Sequence, residues 1–385
     1  MRHDAHMLLL LMTACGTPLA PSDTAPPTDC KAVADAGNYD TFYAPAAVRE
    51  IRITMQEAAV ATLKSDLRSY ALGDVEIDGA TYPDVGIRLK GSSSFQDFSG
   101  KPAFKIKLNE YCSGQKHADL KRLTLNNMTF DASQSQEVVN YQIWADAGLM
   151  APKANYARVY FNDEFFGLYA NVESMDGQWL KHRYDDATGD LWEAGDSADF
   201  DDDHLGGWSI TKGDGDATAL ANVAAALQQD GSVYDNVGQF VNMDQFLSYW
   251  AWKSIVGDDD GYPWNLNDVF LYGNPANGGR FEMSPWGFDE GWKDYVNWDN
   301  ASGALSDACK ADKDCAARLK ETLRSGLDAF DQIDVLGYAR AAWSVSESYL
   351  ADDARRPFTT KEVETARSEY ETAIVGRSAV VRGRL

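Results

Sequence analysis

Residues 257–268 read Gly-Asp-Asp-Asp-Gly-Tyr-Pro-Trp-Asn-Leu-Asn-Asp and run straight into the strand-like Val269-Phe270-Leu271-Tyr272. Residues 280–292, Arg-Phe-Glu-Met-Ser-Pro-Trp-Gly-Phe-Asp-Glu-Gly-Trp, lead back out of a second strand. Together they predict a strand-loop-strand hairpin with oxygen donors at one end: Asp260, Asn265 and Asn267 before the first strand, Asp289 after the second. Clustered carboxylates repel each other, so in a folded chain they need solvent, a cation or a raised pKa. Trp264, Trp286 and Trp292 lie beside them, and bulky aromatics mark a partly buried site rather than a wetted acidic loop. On this reading Asp258, Asp259 and Asp268 are the solvated surroundings of the site.

Outward from the hairpin the chain divides by pattern. Residues 49–55, 74–91, 103–111 and 120–127 alternate apolar with polar residues, with Asp78-Gly79 as a hairpin turn. Residues 133–148 predict a helix capped by Ser133 and ended by Gly148, and residues 155–174 two strands joined at Asn162-Asp163. Beyond about residue 175 most segments read as helices. The expectation is an α+β fold with a strand-rich lobe over 46–175, a helix-rich lobe over 176–385 and the site in the cleft between them. The acidic tract 193–207 lacks EF-hand spacing and reads as a solvated loop.

Residues 1–15 resemble a bacterial lipoprotein signal, with Met7–Met12 apolar and Cys15 as the lipidated residue; an ordinary secretory signal is the alternative. Residues 16–45, rich in Pro, Thr, Ser and Ala, read as a flexible tether. In an exported chain Cys309 with Cys315 is the natural local disulfide, leaving Cys30 with Cys112. Among 385 residues the net charge is -24, which argues against a nucleic-acid partner. The five histidines, two of them in the leader, are too few for a His-rich metal site, so a functional metal is expected to be a hard cation held by oxygen.

The chain has neither a Walker phosphate loop nor a G-x-S-x-G elbow. Protein kinases build their site from an Asp that orients the attacking hydroxyl and an Asn and a second Asp that hold magnesium on the phosphates. Asp260 and Asn265 have the D-x-x-x-x-N spacing of that loop, and Asp289-Glu290-Gly291 stands where D-F-G would.

Several segments, in order, resemble the spore coat protein H (CotH) kinase family, which are atypical kinase-like proteins: "VGIRLKGSSSF" (85–95), "KPAFKIKLNEY" (101–111), "LTLNN" (123–127), residues 148–176, "DDDGY" with "FLY" (258–272) and "PWGFDEGW" (285–292). The resemblance spans about residues 46–382. It implies a two-lobed protein-kinase-like fold that uses ATP with Mg2+ or Mn2+. Asp260 would be the catalytic carboxylate. Asn267, with Asn265 as its rival, and Asp289 would hold the metal. Arg88, Lys90, Gly91 and Ser92 would cover the nucleotide phosphates. Lys105 would contact the α- and β-phosphates, with Lys107 on the same strand face as the other choice. Glu137 would pair with that lysine or stand as an exposed helix residue, and Glu173 would lie near the adenine or be structural.

The implied function is an exported kinase, tethered to a membrane only through a lipid on Cys15, that passes the γ-phosphoryl group of ATP to Ser or Thr hydroxyls of a protein. Where many family members carry Asp, this chain has Gly287. An alternative function rests on that difference: a catalytically degenerate surface scaffold or adhesion protein. A glycoside hydrolase using Asp260 and Asp289 fits the composition but not the order of the motifs.

Overall fold

Alternating apolar and polar residues build seven strands in the first half of the chain: β1 (Val48–Thr54), β2 (Ala71–Ile77), β3 (Ala80–Lys90), β4 (Ala103–Lys107), β5 (Arg122–Asn126), β6 (Ala154–Phe161) and β7 (Glu164–Glu173). The computed structural model describes residues 30–45 and 47–385, so the leader, Cys15 and residues 16–29 of the expected tether lie outside the described residues, while its remainder is not a free tether: Cys30 is disulfide-bonded and Phe42 and Tyr43 are buried. Asp78 and Gly79, at φ 49° and 85°, turn β2 into β3, and Asn162-Asp163, at 47° and 67°, turn β6 into β7, both as expected. The strands close into a barrel in the order β1-β2-β3-β4-β5-β7-β6. Its closing pair, β1 with β6, is parallel and sets Ile51 against Val159. Local alternation carries no information about which distant strands meet, so this parallel pairing goes beyond the hairpins expected from the sequence.

Inside the barrel Ile53, Ile77, Ile87, Phe104, Ile106, Leu125 and Val159 are fully enclosed, and each such side chain contributes about 1.5–3 kcal/mol of burial energy. The residues that alternate with them point outward. Register places Arg88 beside Lys105 and Lys105 beside Thr124, a row across β3, β4 and β5 on the outer wall.

Three helices belong to this half: α1 (Tyr39–Phe42), α2 (Glu57–Ser65) and α3 (Gln136–Asp146). The start of α3 departs from expectation. Ser133 does not cap it; the buried Asp131 carboxylate accepts from the amides of Ser133, Ser135 and Gln136 at 2.8, 2.5 and 2.6 Å. A carboxylate near a helix N-terminus satisfies several orphan donors at once, where a hydroxyl satisfies one.

The second half is mixed. Helices α4 (Gly177–Lys181), α5 (Thr218–Leu227), α6 (Val233–Val237), α7 (Met243–Val256), α8 (Ala304–Ala311), α9 (Lys313–Phe330), α10 (Val335–Asp352) and α11 (Thr360–Arg382) surround a sheet of β8 (Leu191–Ala194), β9 (Trp208–Lys212), β10 (Val269–Asn274) and β11 (Arg280–Pro285), ordered β11-β10-β8-β9. The tract 193–207 is not a solvated loop throughout: Ala198, Asp199 and Phe200 are buried, and Asp199 accepts from the Tyr262 hydroxyl and the Ala304 amide. Buried ionic groups tie the parts together. Lys101, just before β4, and Asp353, just after α10, are both fully buried and lie 2.6 Å apart. Arg377 of α11 donates to the carbonyls of Ser254 and Ile255, satisfying the end of α7. Disulfides join Cys30 to Cys112 and Cys309 to Cys315, the expected pairs. Among the described residues no helix is long and apolar enough to cross a membrane.

Candidate functional site

The hairpin register sets Val269 opposite Pro285, and the Trp286 amide donates to the Asp268 carbonyl at 3.0 Å, so the loops entering and leaving the hairpin emerge side by side. Across from them stands the outer wall of β3–β5. Between the two walls lies a cleft of about 770 Å³. Arg88, Lys90, Gly91, Ser92 and Lys105 line its barrel side, and Asp260, Asn267 and Asp289 its hairpin side. Gly91 takes φ 113°, and a Cβ there would press on the Phe95 backbone, so the Ser92–Ser94 turn can fold back over the cleft only because residue 91 has no side chain.

Three of the sequence-derived site residues stand elsewhere. Glu173 is fully buried outside the cleft, held by Arg183 at 2.6 Å, the Tyr39 hydroxyl at 2.6 Å and the Lys153 amide at 3.0 Å. Asn265 is exposed and outside the cleft, so of the two rival asparagines the cleft takes Asn267, whose amide donates to Asp260 Oδ1 at 3.2 Å. Glu137 is buried, not exposed, and is not paired with Lys105. Both its oxygens accept from Asn126 Nδ2, at 2.7 and 2.9 Å, and Asn126 Oδ1 accepts from Lys90. The first turn of α3 reaches the end of β5, where β3 also ends at Lys90, whereas Lys105 sits mid-strand and faces Glu193 of β8. Lys107, the other choice, pairs with Glu110 outside the cleft.

Of the three acids expected to be solvated, Asp258 and Asp259 are neutralised by lysines. Asp258 is fully buried against Lys253, at 2.9 Å, and its other oxygen accepts the Asp260 amide at 2.9 Å. Lys253 also donates to the Asp260 carbonyl at 3.1 Å, so this ion pair fixes the backbone at Asp260. Asp259 bonds Lys293 and Tyr295, tying the two loops together. Asp268 lines the cleft.

The electrostatics are strained. Burial, and then repulsion from Glu137 and Asp268, lift the Asp289 carboxyl well above its usual range; burial and then Asp260 do the same for Asp268. Burial depresses Lys90, against the pull of Glu137, Asp289 and Asp268, and brings Lys105 down to about 8. Cations on one wall and unneutralised oxygen donors on the other suit a polyanion that carries a hard cation. Among the described residues no three acidic, His or Cys side chains come close enough to hold a metal unaided.

One pH dependence follows. Burial pushes Glu137 up to about 7, from 4.5 in the unfolded chain. The folded state therefore keeps a proton between those values that the unfolded state has released. Its stabilising contribution is complete below 4.5 and is lost as pH rises through 7. Metal-free protein should melt lower at about pH 8 than at about pH 5.5, and Glu137→Gln should narrow the gap; thermal scans at both values measure it.

Asn126, Glu193, Lys253 and Asp268 are the site residues that sequence reasoning missed. Asn126 had a signal, an outward polar position at the end of an alternating strand. Glu193 had none, since β8 is four residues long.

The family model described as CotH kinase protein matches residues 87–325. The inner spore coat protein H of Bacillus subtilis (strain 168) is 23% identical over 222 residues, which cover 54% of this chain and 59% of that protein. A crystal structure of the Helicobacter pylori proinflammatory kinase CtkA aligns at 10% identity over 69% of this chain and 95% of that one, with a TM-score of 0.28, too loose to bear on the fold. The family match takes in more than half of the chain, from the outer wall of the barrel through the acidic hairpin to α9: the protein belongs to the CotH kinase protein family.

Proposed function

We infer that the protein is a kinase-like phosphotransferase that passes the γ-phosphoryl group of ATP, bound with Mg2+ or Mn2+, to Ser or Thr hydroxyls of a protein. The observation that carries this is the opposition, across one cleft, of Lys90 and Lys105 to Asp260, Asn267 and Asp289 in a chain of this family. The donor set fits a metal–nucleotide. Asp289 and Asp268 accept no hydrogen bond from another residue among those described, and Arg88 Nε is buried without a partner. A hard cation bound there would neutralise the phosphates, which supply the ligands the protein lacks.

In this reading the barrel, within 46–175, and the mixed part, 176–385, act as the two lobes of a kinase. Lys90, held by Asn126 and Glu137, and Lys105 grip the phosphates, and the 91–94 turn covers them. Asp260, steered by Asn267 and by the Lys253–Asp258 pair, orients the acceptor hydroxyl and takes its proton. The hydroxyl oxygen bonds to the γ-phosphorus, the bond to the β,γ-bridging oxygen breaks, and ADP leaves with that electron pair. The two disulfides are consistent with an extracellular place of work. Export and a lipid anchor at Cys15 belong to the same proposal.

The test is incubation of the purified protein with γ-labelled ATP and Mn2+ or Mg2+. Label on the protein or on an added acceptor, lost in Asp289→Ala, is the expected result. Nucleotide binding without transfer would overturn the enzyme reading in favour of a degenerate scaffold.

A further inference from the structure

Among the described residues, four glycines lie so close to a carboxylate that a Cβ would collide with it: Gly167 with Asp353, Gly213 with Asp190, Gly337 with Asp334, and Gly287 with Asp268. In three of them hydrogen bonds explain the approach. Asp353 accepts from the Leu168 amide at 3.0 Å and from Lys101. Asp190 accepts from the amides of Asp214 and Gly215 at 3.0 and 3.1 Å, and Asp334 from the Gly337 amide at 2.9 Å. The Asp268 carboxylate has no such partner among the described residues.

It is nonetheless held in place. Asp268 takes φ 38° and Gly287 φ 61°, both in the left-handed region, and the Asp268 carbonyl is fixed by the Trp286 amide. The carboxylate projects over Gly287 into the volume a side chain there would fill, on the wall of the cleft that also carries Asp289 and Asp260. Lys253 and Lys90 act on it from a distance, but neither forms an ion pair with it. A carboxylate held at the cleft wall with free lone pairs and no donor among the described residues is available to a hard cation that a bound polyanion brings with it.

Given the metal–nucleotide reading of the cleft, on which this rests, we propose that Asp268 is a direct ligand of the divalent cation, its carboxylate standing where a side chain at 287 would be. The absence of a carboxylate at Gly287 then removes nothing from the site, because the neighbouring strand of the hairpin supplies one to the same space.

The experiment compares the full-length protein with Asp268→Asn and, as a control, Asp294→Asn, an exposed acid outside the cleft. Mn2+ binding is read from the loss of the free-ion EPR signal in the presence of a non-hydrolysable ATP analogue. Metal-free melting temperature and metal-free analogue binding are measured beside it. The expected result is Mn2+ affinity reduced about tenfold or more in Asp268→Asn and unchanged in Asp294→Asn. Metal-free melting should stay level or rise, since a repelling charge has gone, and metal-free analogue binding should not weaken. Wild-type Mn2+ affinity in Asp268→Asn overturns the assignment and leaves the cleft reading standing. A fall in its metal-free melting temperature, or failure to fold, shows a structural role and also overturns it. If the wild-type protein binds neither Mn2+ nor the analogue, both readings fall together.

Discussion

Replacing Asp353 with alanine is expected to lower the unfolding free energy by about 3–5 kcal/mol, measured by urea denaturation followed through tryptophan fluorescence. The carboxylate and its partner Lys101 have no solvent exposure, so the variant would leave an ammonium buried with only the Leu168 carbonyl and the Tyr169 ring for company. It would also orphan the Leu168 amide, which now donates to Asp353. Leaving one charge uncompensated is what makes the loss large; removing both is different. Lys101→Met with Asp353→Leu should recover the part of the loss due to the uncompensated ammonium but not the part due to the Leu168 and Arg355 amides, which leucine cannot accept. The contact spans the molecule from the start of β4 to the end of α10, so the single variant should shift the whole transition rather than fray one end.

If the proposed phosphotransferase reading holds, Asp260→Asn is expected to lower phosphoryl transfer by about 10²–10⁴-fold while leaving the KM for ATP within a few-fold of wild type, the range for loss of a positioned acid–base group. Asparagine can still meet Asn267, but it cannot accept the hydroxyl proton. Steady-state kinetics with a peptide or protein acceptor separate the two constants, and equal losses in binding and turnover would move Asp260 from chemistry to nucleotide binding. Asp258→Asn should behave differently. It breaks a fully buried pair with Lys253, so it should lose stability as well as rate.

The parts of this fold that could be read from the sequence are those set by neighbours in the chain. Alternation in 74–91 and 155–174, with turns at Asp78-Gly79 and Asn162-Asp163, specifies two hairpins because the pleat period and the left-handed turn residues are local properties. Barrel closure was not legible, since the pairing of Ile51 with Val159 depends on strands far apart in sequence. The site follows the same division. The hairpin carrying Asp260, Asn267 and Asp289 was visible as a motif. The partner of Glu137 was misplaced because Lys90 and Lys105 alternate to the same wall, and only the position of α3 chooses between them. Asp258 read as solvated because its neutralising Lys253 sits on the preceding helix, whose end folds the two together. Asp268 read as surplus acid because the gap above Gly287 exists only once the hairpin is formed.

The parallel closure between β1 and β6 also bears on how the molecule is made. While β6 is still missing, β1 and the strands that follow it can form only an open, curling sheet with unpaired edges, a template for another unfinished chain. Non-local parallel pairing is slow because loop-closure entropy must be met before the contact forms. Association between chains should therefore compete with folding chiefly during that interval, before the barrel shuts. The Cys30–Cys112 bond lies wholly within the segment completed before β6, so once oxidised it tethers the start of the chain beside β4 and β5 and shortens the search that brings β1 to its last partner.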